Sequence, residues 1–348
     1  MKVLLLLSGY TCKRVPWGLG DDGTPRKEAM SDFFKGSKYL KNLLKSHEYK
    51  TICGLWDEIG IEEVKRTYKP EIYISSSQEK FQEQLKPIFG DYESKRIKKR
   101  DAWFKRKNIK NNLVSSASRS ASQLYSRQIV IRKAIEFIDK TYFDPDMIIL
   151  TRYDISCRGG AYIRNPVRIN QSIFDFISSE KNYPRVILPL FNQLNAGMPD
   201  MWFYLNLKAL YKMQFIYDEY IKVITSNDSN YKRLLTEGWP FSEYFDLANT
   251  NDPRQFSNII ITNKKSNKLM KYHDWELPNI HAFLKYYLLL KDDKFKLKFI
   301  SRFQSLFSMI LFANYKNIIF LGYKELISGI SSKIKYYLGK IQLSDSFK

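Results

Sequence analysis

The chain has 348 residues, with 57 Lys+Arg against 36 Asp+Glu and a formal net charge of +21. That length suits one large domain or two moderate ones, and 44% hydrophobic residues with 15% aromatics supply a full core, which excludes a wholly disordered chain. Three widely spaced cysteines, Cys12, Cys53 and Cys157, form no CxxC pair, which argues against a disulfide scaffold and a cysteine-rich zinc site and fits a reducing cytoplasm.

The charge implies an anionic partner, and nucleic acid, acidic lipid and phosphorylated substrates all qualify. Met1 to Leu7 is too short for a signal-peptide core. The most apolar later stretch, Phe303 to Leu321, is broken by Asn314, Lys316 and Asn317, short of the roughly 20 nearly uncharged residues of a spanning helix. The expectation is a soluble or peripheral protein without a transmembrane segment.

In chain order, Val3 to Leu7 is a continuous apolar run ending at Ser8-Gly9, the pattern of a strand buried on both faces of a parallel sheet. A Gly/Asp-rich loop leads to Pro25, which opens a helix with Phe33, Leu40 and Leu44 on one stripe. Short strands are predicted over Thr51 to Trp56 and Glu71 to Ser75. Residues 91–122, with nine Lys/Arg and one Asp between Lys95 and Lys110, read as a mobile basic loop with a helical turn around Trp103-Phe104. Leu124, Ile131, Ile135 and Ile138 then mark a firm helix, and Met147 to Leu150 the next buried strand, which ends in Thr151-Arg152-Tyr153-Asp154. A strand over Arg185 to Leu190 is followed by a Gly-Met-Pro-Asp turn at 197–200. That turn is read as opening a long helix carrying Leu207, Leu210, Tyr211 and Tyr217. From about residue 276 the chain is read as helical, aromatic and basic. The alternation predicts an α/β fold: a Rossmann-type, mostly parallel sheet flanked by helices, with a helical basic C-terminal region.

Ligands of such sheets bind beyond the carboxyl ends of the strands, which singles out the residues there. Asp154 follows a buried strand. A carboxylate beside a phosphate-bearing ligand makes sense through Mg²⁺ or Mn²⁺, which take both kinds of oxygen; a turn cap or a pair with Arg152 explains it equally. Trp56 and Asp57 end a strand at the same rim, where the ring offers a stacking face for a base and the acid a partner for ribose, with core packing the alternative for Trp56. Tyr10, after the first strand, has the same opportunity.

Several landmarks stand in a recurring order: Leu6-Leu7-Ser8-Gly9, Leu55-Trp56-Asp57, Tyr68-Lys69-Pro70-Glu71, Ser126-Arg127-Gln128 at a helix start, Asp146 to Asp154, Asp200 with Trp202-Phe203, and His273 to Glu276. Over about residues 1–290 this series resembles bacterial polysaccharide-assembly glycosyltransferases of GT-A-like fold, in which a nucleotide-sugar-binding Rossmann-type sheet is merged with an acceptor-binding half. The resemblance implies transfer of a sugar from a nucleotide-sugar donor. It places Ser8, Gly9, Tyr10, Arg14, Trp56, Asp57, Arg127, Gln128, Arg152 and Asp154 at the donor. Asp154 would be the last carboxylate of a metal-holding DxD element whose first position is Arg152 here, and a guanidinium fork there would neutralise a diphosphate directly. Lys13 or Arg14 would stand for the arginine expected after Ser8-Gly9. Asp200 is the candidate general base, with a helix N-cap as the plain alternative. His273 would complete a Mn²⁺ or Mg²⁺ shell beside Glu276, against a simple helix start at Asp274.

The expected division is a glycosyltransferase domain over 1–290 and a basic helical region over 291–348. That second region carries eleven Lys/Arg against four Asp/Glu and an amphipathic stripe from Ile327 to Ile341, suited to an anionic membrane surface or to packing on the sheet domain. The expected partners are a nucleotide-sugar, a lipid-linked glycan acceptor and the inner face of the cytoplasmic membrane. Nucleic acid is not expected, since zinc spacing, an RNP pattern and a helix-turn-helix are all missing. A basic nucleic-acid-binding protein and a non-catalytic sugar-binding scaffold remain the alternative functions.

Overall fold

A computed structural model describes residues 1–9, 27–56, 60–107, 117–153, 165–179, 182–189, 201–226, 231, 280–289 and 295–300. Seven strands make one open sheet: β1 (Lys2–Gly9), β2 (Glu48–Trp56), β3 (Ile72–Ser76), β4 (Met147–Arg152), β5 (Arg185–Pro189), β6 (Trp202–Leu205) and β7 (Lys296–Ile300), in the order β3-β2-β1-β4-β6-β5-β7. All neighbours are parallel except those of β6, which is antiparallel to both β4 and β5. The expected α/β class with a mostly parallel, helix-flanked sheet is what the chain adopts.

Because side chains alternate across a strand, the apolar run of β1 feeds two cores. Val3, Leu5 and Leu7 pack on one face with Phe33, Tyr39, Leu40 and Leu44 of α1 (Lys27–Leu44), Val64 and Tyr68 of α2 (Ile61–Tyr68), and Ile173 and Ile177 of α5 (Gln171–Ser178). Leu4 and Leu6 face the other way. There they meet Phe81, Leu85 and Phe89 of α3 (Gln78–Lys107), Leu124, Ile131, Ile135 and Ile138 of α4 (Ala117–Thr141), and the helices α6 (Leu207–Met213), α7 (Ile216–Thr225) and α8 (Ile280–Leu289). The hydrophobic stripes of α1 and α4 are those the periodicity predicts.

Four elements differ from the sequence expectation. First, the basic stretch read as a loop is helix as far as Lys107, and α4 begins at Ala117. Lys, Arg, Glu and Ala are good helix formers, but among the described side chains of α3 only Phe81, Leu85 and Phe89 join the apolar core. The described side chains from Asp91 onward are exposed, so no apolar stripe announces the helix. Second, the long helix expected after residue 200 is instead strand β6, then α6 and α7. Trp202 to Leu205 is a four-residue buried run, too short for periodicity to separate strand from helix, and its aromatic content suits a strand. Third, α5 is an added helix, capped by Asn170, whose side chain accepts from the Ile173 N–H at 2.9 Å. Fourth, β7 lies beyond the boundary expected at 290 and pairs with β5, so the sheet extends at least to Ile300. Its lysines suit an edge strand, and Lys298 Nζ donates to the Ser172 carbonyl at 2.8 Å. Residues 301–348 lie outside the described residues. No helix among the described residues is long and apolar enough to cross a membrane.

Candidate functional site

The chain order places β2 and β3 on one side of β1 and β4 on the other. The connections therefore diverge between β1 and β4, and the crevice beyond the carboxyl ends of these two strands is the binding position that such a sheet provides. Ser8 lies opposite Arg152 in the register and Gly9 opposite Leu55. Strand β6 begins at the same edge, because it runs antiparallel to β4 with Trp202 opposite Thr151. Thr151 Oγ1 donates to the Met201 carbonyl at 3.4 Å and ties the two ends together. The chain thus leaves this edge one residue before Asp154 and returns to it one residue after Asp200.

Gly9 has φ +107°, a conformation that side-chain-bearing residues rarely adopt, and the space a Cβ would occupy is open. Here the glycine is required by the backbone as it turns out of β1. Alternation puts Ser8, Leu150 and Arg152 on the α4 face of the sheet. Arg127 of α4 is brought to that same face: it is 2% exposed, with its guanidinium carbon 5.6 Å from the centroid of the Phe203 ring, and Phe203 lies opposite Leu150. Two permanently charged guanidinium groups are thus placed on one face, Arg152 at the end of β4 and Arg127 in the layer above it.

Tyr153 points the other way and anchors the end of β4. It packs among Phe33 and Tyr68, with ring centroids 6.3 and 6.4 Å away, and beside the buried Cys53 thiol. Burial raises the Tyr153 and Tyr68 hydroxyls well above the usual tyrosine range and pushes the Cys53 thiol up to about 12. Cys53 therefore stays a neutral core residue, since thiolate is the reactive form.

Two proposed donor contacts are corrected by the packing. Trp56 is 2% exposed and packs in the core beside the stacked pair Phe81 and Tyr125, at centroid distances of 5.1 and 5.6 Å, with its ring stacked on Tyr125, which is the core-packing alternative. Gln128 is 3% exposed, and its Oε1 accepts from the Tyr217 N–H at 2.9 Å and the Asp218 N–H at 3.3 Å. It satisfies the open N-terminus of α7, where the N-cap Phe215 gives no side-chain bond. Both belong to the scaffold because the α4 face that looks like a site in one dimension is packed against α3 and α7 in three. Ser126-Arg127-Gln128 also lies within α4 rather than at its start. Ser8 is itself buried.

Tyr10, Arg14, Asp57, Asp154, Asp200, His273 and Glu276 lie outside the described residues. The reading of Asp200 as a helix N-cap is overturned by the strand that follows it. Among the described residues no group of three or more His, Cys, Asp or Glu is placed to hold a metal ion. Sequence reading also passed over a second group, the cations around a depression at the opposite end of β2. They come one or two per element, so no run or motif marks them. Comparison with protein-family models, with curated proteins and with solved structures returns no match.

Proposed function

We propose that the chain is a GT-A-like glycosyltransferase that moves a sugar from a nucleotide-sugar donor to a lipid-linked or oligosaccharide acceptor in bacterial surface polysaccharide assembly, at the cytoplasmic face of the membrane. The observation that carries this reading is the β1/β4 crevice, where Gly9 turns the backbone out of β1 and Arg152 and Arg127 stand on one face. A parallel half (β3-β2-β1-β4) joined through one antiparallel strand to a second half (β6-β5-β7) is the organisation expected of a nucleotide-binding sheet merged with an acceptor-binding half.

In this reading Arg152 neutralises the donor's phosphate oxygens through its planar fork, and Arg127 adds a fixed positive charge in a low-dielectric layer, where it acts more strongly than in water. Charge so placed stabilises the leaving nucleotide as its bond to the sugar breaks. Asp200, which the chain delivers next to the start of β6, serves as the base in an inverting transfer. The acceptor hydroxyl gives its proton to the carboxylate, its oxygen bonds to the anomeric carbon, and the bond from that carbon to the phosphate oxygen breaks with release of the nucleotide. Asp154 and His273 are the residues proposed for Mn²⁺ or Mg²⁺, and such an ion would supply further charge for the phosphates.

Thermal-shift measurements with UDP-, GDP-, CMP- and dTDP-sugars, with and without Mn²⁺, test the reading. Saturating binding of one donor at a hundredfold excess over its Kd corresponds to about 2.7 kcal/mol of added stability, and Arg152→Ala is expected to remove most of that shift. A flat response to every donor, with tight and salt-sensitive RNA binding, would overturn it in favour of a nucleic-acid-binding protein. Donor binding without turnover of any acceptor would leave a sugar-binding scaffold.

A further inference from the structure

At the end of the sheet opposite the β1/β4 crevice, a depression of about 490 Å³ opens between the C-terminal ends of α1 and α2 and the beginning of β2. Five cationic side chains line it: Lys41 and Lys45 from the end of α1, Lys50 from β2, and Arg66 and Lys69 from the end of α2. The one carboxylate in the lining, Glu71, is engaged by Lys50 Nζ at 2.7 Å. The other four cations face no further acid among the lining residues, and all four are exposed.

The negative end of a helix dipole attracts cations to its last turn, and this accounts for Lys41 and Arg66 without any ligand. Lys45 and Lys69 stand immediately after the last helical residues, Leu44 and Tyr68, and add to that charge, while Lys50 comes from β2 and is held by Glu71. Lys69 holds a left-handed backbone at φ 45°, where glycine or asparagine would sit at lower cost. A second, independent observation is Thr51. It lines the same depression and is 2% exposed, and its Oγ1 is buried with no hydrogen-bond partner within the protein. Buried hydroxyls are nearly always satisfied, so an unpartnered one at the wall of the depression points to a ligand group there. Its volume is that of a small-molecule site.

We propose that this depression binds a phosphate-bearing anion. Phosphate fits better than a single carboxylate: it brings at least one full charge with several acceptor oxygens, matched to a guanidinium fork, three lysines and a threonine hydroxyl. The site is separate from the proposed donor crevice, since Thr51 and Trp56 are five residues apart on β2, roughly 17 Å at the rise of a strand. The same headgroup chemistry is offered by a soluble organic phosphate and by an anionic phospholipid.

The test uses the full chain in 150 mM NaCl with two probes, sodium pyrophosphate by calorimetry and vesicles of phosphatidylcholine with or without 30% phosphatidylglycerol by co-sedimentation. The variant Lys45→Glu/Arg66→Glu is compared with Lys80→Glu/Lys86→Glu, which reverses the same number of exposed charges on α3. Circular dichroism monitors the fold, and the milder Lys45→Gln/Arg66→Gln replaces the first variant if its helicity falls. Pyrophosphate binding weakened at least tenfold by the pocket variant and less than twofold by the control establishes a soluble phosphate ligand. No pyrophosphate binding, with vesicle binding that shows this same pattern, establishes a lipid headgroup. The proposal fails if the native chain binds neither probe, if the pocket variant binds as well as the native chain, or if the control loses as much. Stabilisation by a nucleotide-sugar is expected to survive in the pocket variant, so failure here and failure of the glycosyltransferase reading are separately visible.

Discussion

A Cβ added at Gly54 on β2 would stand 2.4 Å from Val130 Cγ2 on α4. Valine in a helix is held in one rotamer and has little room to turn away. Gly54→Ala is therefore expected to cost about 1–3 kcal/mol in chemical denaturation, the range for overpacking. Combining it with Val130→Ala should recover part of that loss, because neighbours sharing one space are not additive. Equal midpoints for native and Gly54→Ala chains would show that the helix shifts freely. Of the two glycines, Gly9 is legible in the sequence, as the stop of an apolar run, whereas Gly54 is not. Its requirement arises from a helix more than 70 positions further along the chain. Trp56 shows the same blindness, since a tryptophan at a strand end looks alike whether its face meets a base or, as here, Phe81 and Tyr125.

At the scale of elements, the helices are closed by groups both near and far in sequence. Asn206 caps α6 locally, its Oδ1 accepting from the Ala209 N–H at 2.9 Å, and the same atom accepts from Arg185 N–H at 3.0 Å to hold β5 to β6. Gln128 caps α7 across 89 residues. Gln128→Ala is expected to lose about 1–2 kcal/mol, the usual cost of a missing cap. Gln128→Glu should restore most of it by keeping an acceptor and adding a negative charge at a helix N-terminus. A donor-binding role would show instead as weaker nucleotide-sugar binding at unchanged stability. Local caps such as Asn206 are readable as Asn before an apolar run. The cap of α7 is not, because Phe215 gives no local signal and its substitute comes from another helix. Helix α3 was hidden for the converse reason: the described side chains of its outer half are exposed, so propensity had no periodicity to support it.

At the scale of the molecule, the described residues form a sheet with an apolar core on each side, and tyrosines run through both. Tyr204 and Tyr39 donate to the Val167 and Pro166 carbonyls and hold the segment before α5 onto the sheet. Burial raises Tyr68, Tyr153 and Tyr204 well above the usual range and Tyr217 to about 12. The neutral form is the one that folds, so this contribution to stability is complete below the unfolded value near pH 10. It is lost as the pH rises from there through the folded values. Each tyrosine that ionises only after unfolding should remove about 1.4 kcal/mol per pH unit in that window. Denaturation midpoints measured from pH 8.5 to 11.5 should hold steady at first and then fall steeply; a flat profile to pH 11.5 would show that these tyrosines ionise in the native state. What the sequence by itself determined was the set of strands dense enough in apolar residues to be buried on both faces, the stripes of α1 and α4, and the turn at Gly9, because each is a short-range pattern of side-chain period or backbone permission. Strand order, the reversed β6, the closing β7, the caging of Trp56, the capping by Gln128 and the gathering of scattered cations at the far end of β2 were decided only by the tertiary structure. They depend on which surfaces meet across long separations, and a linear pattern carries no record of that.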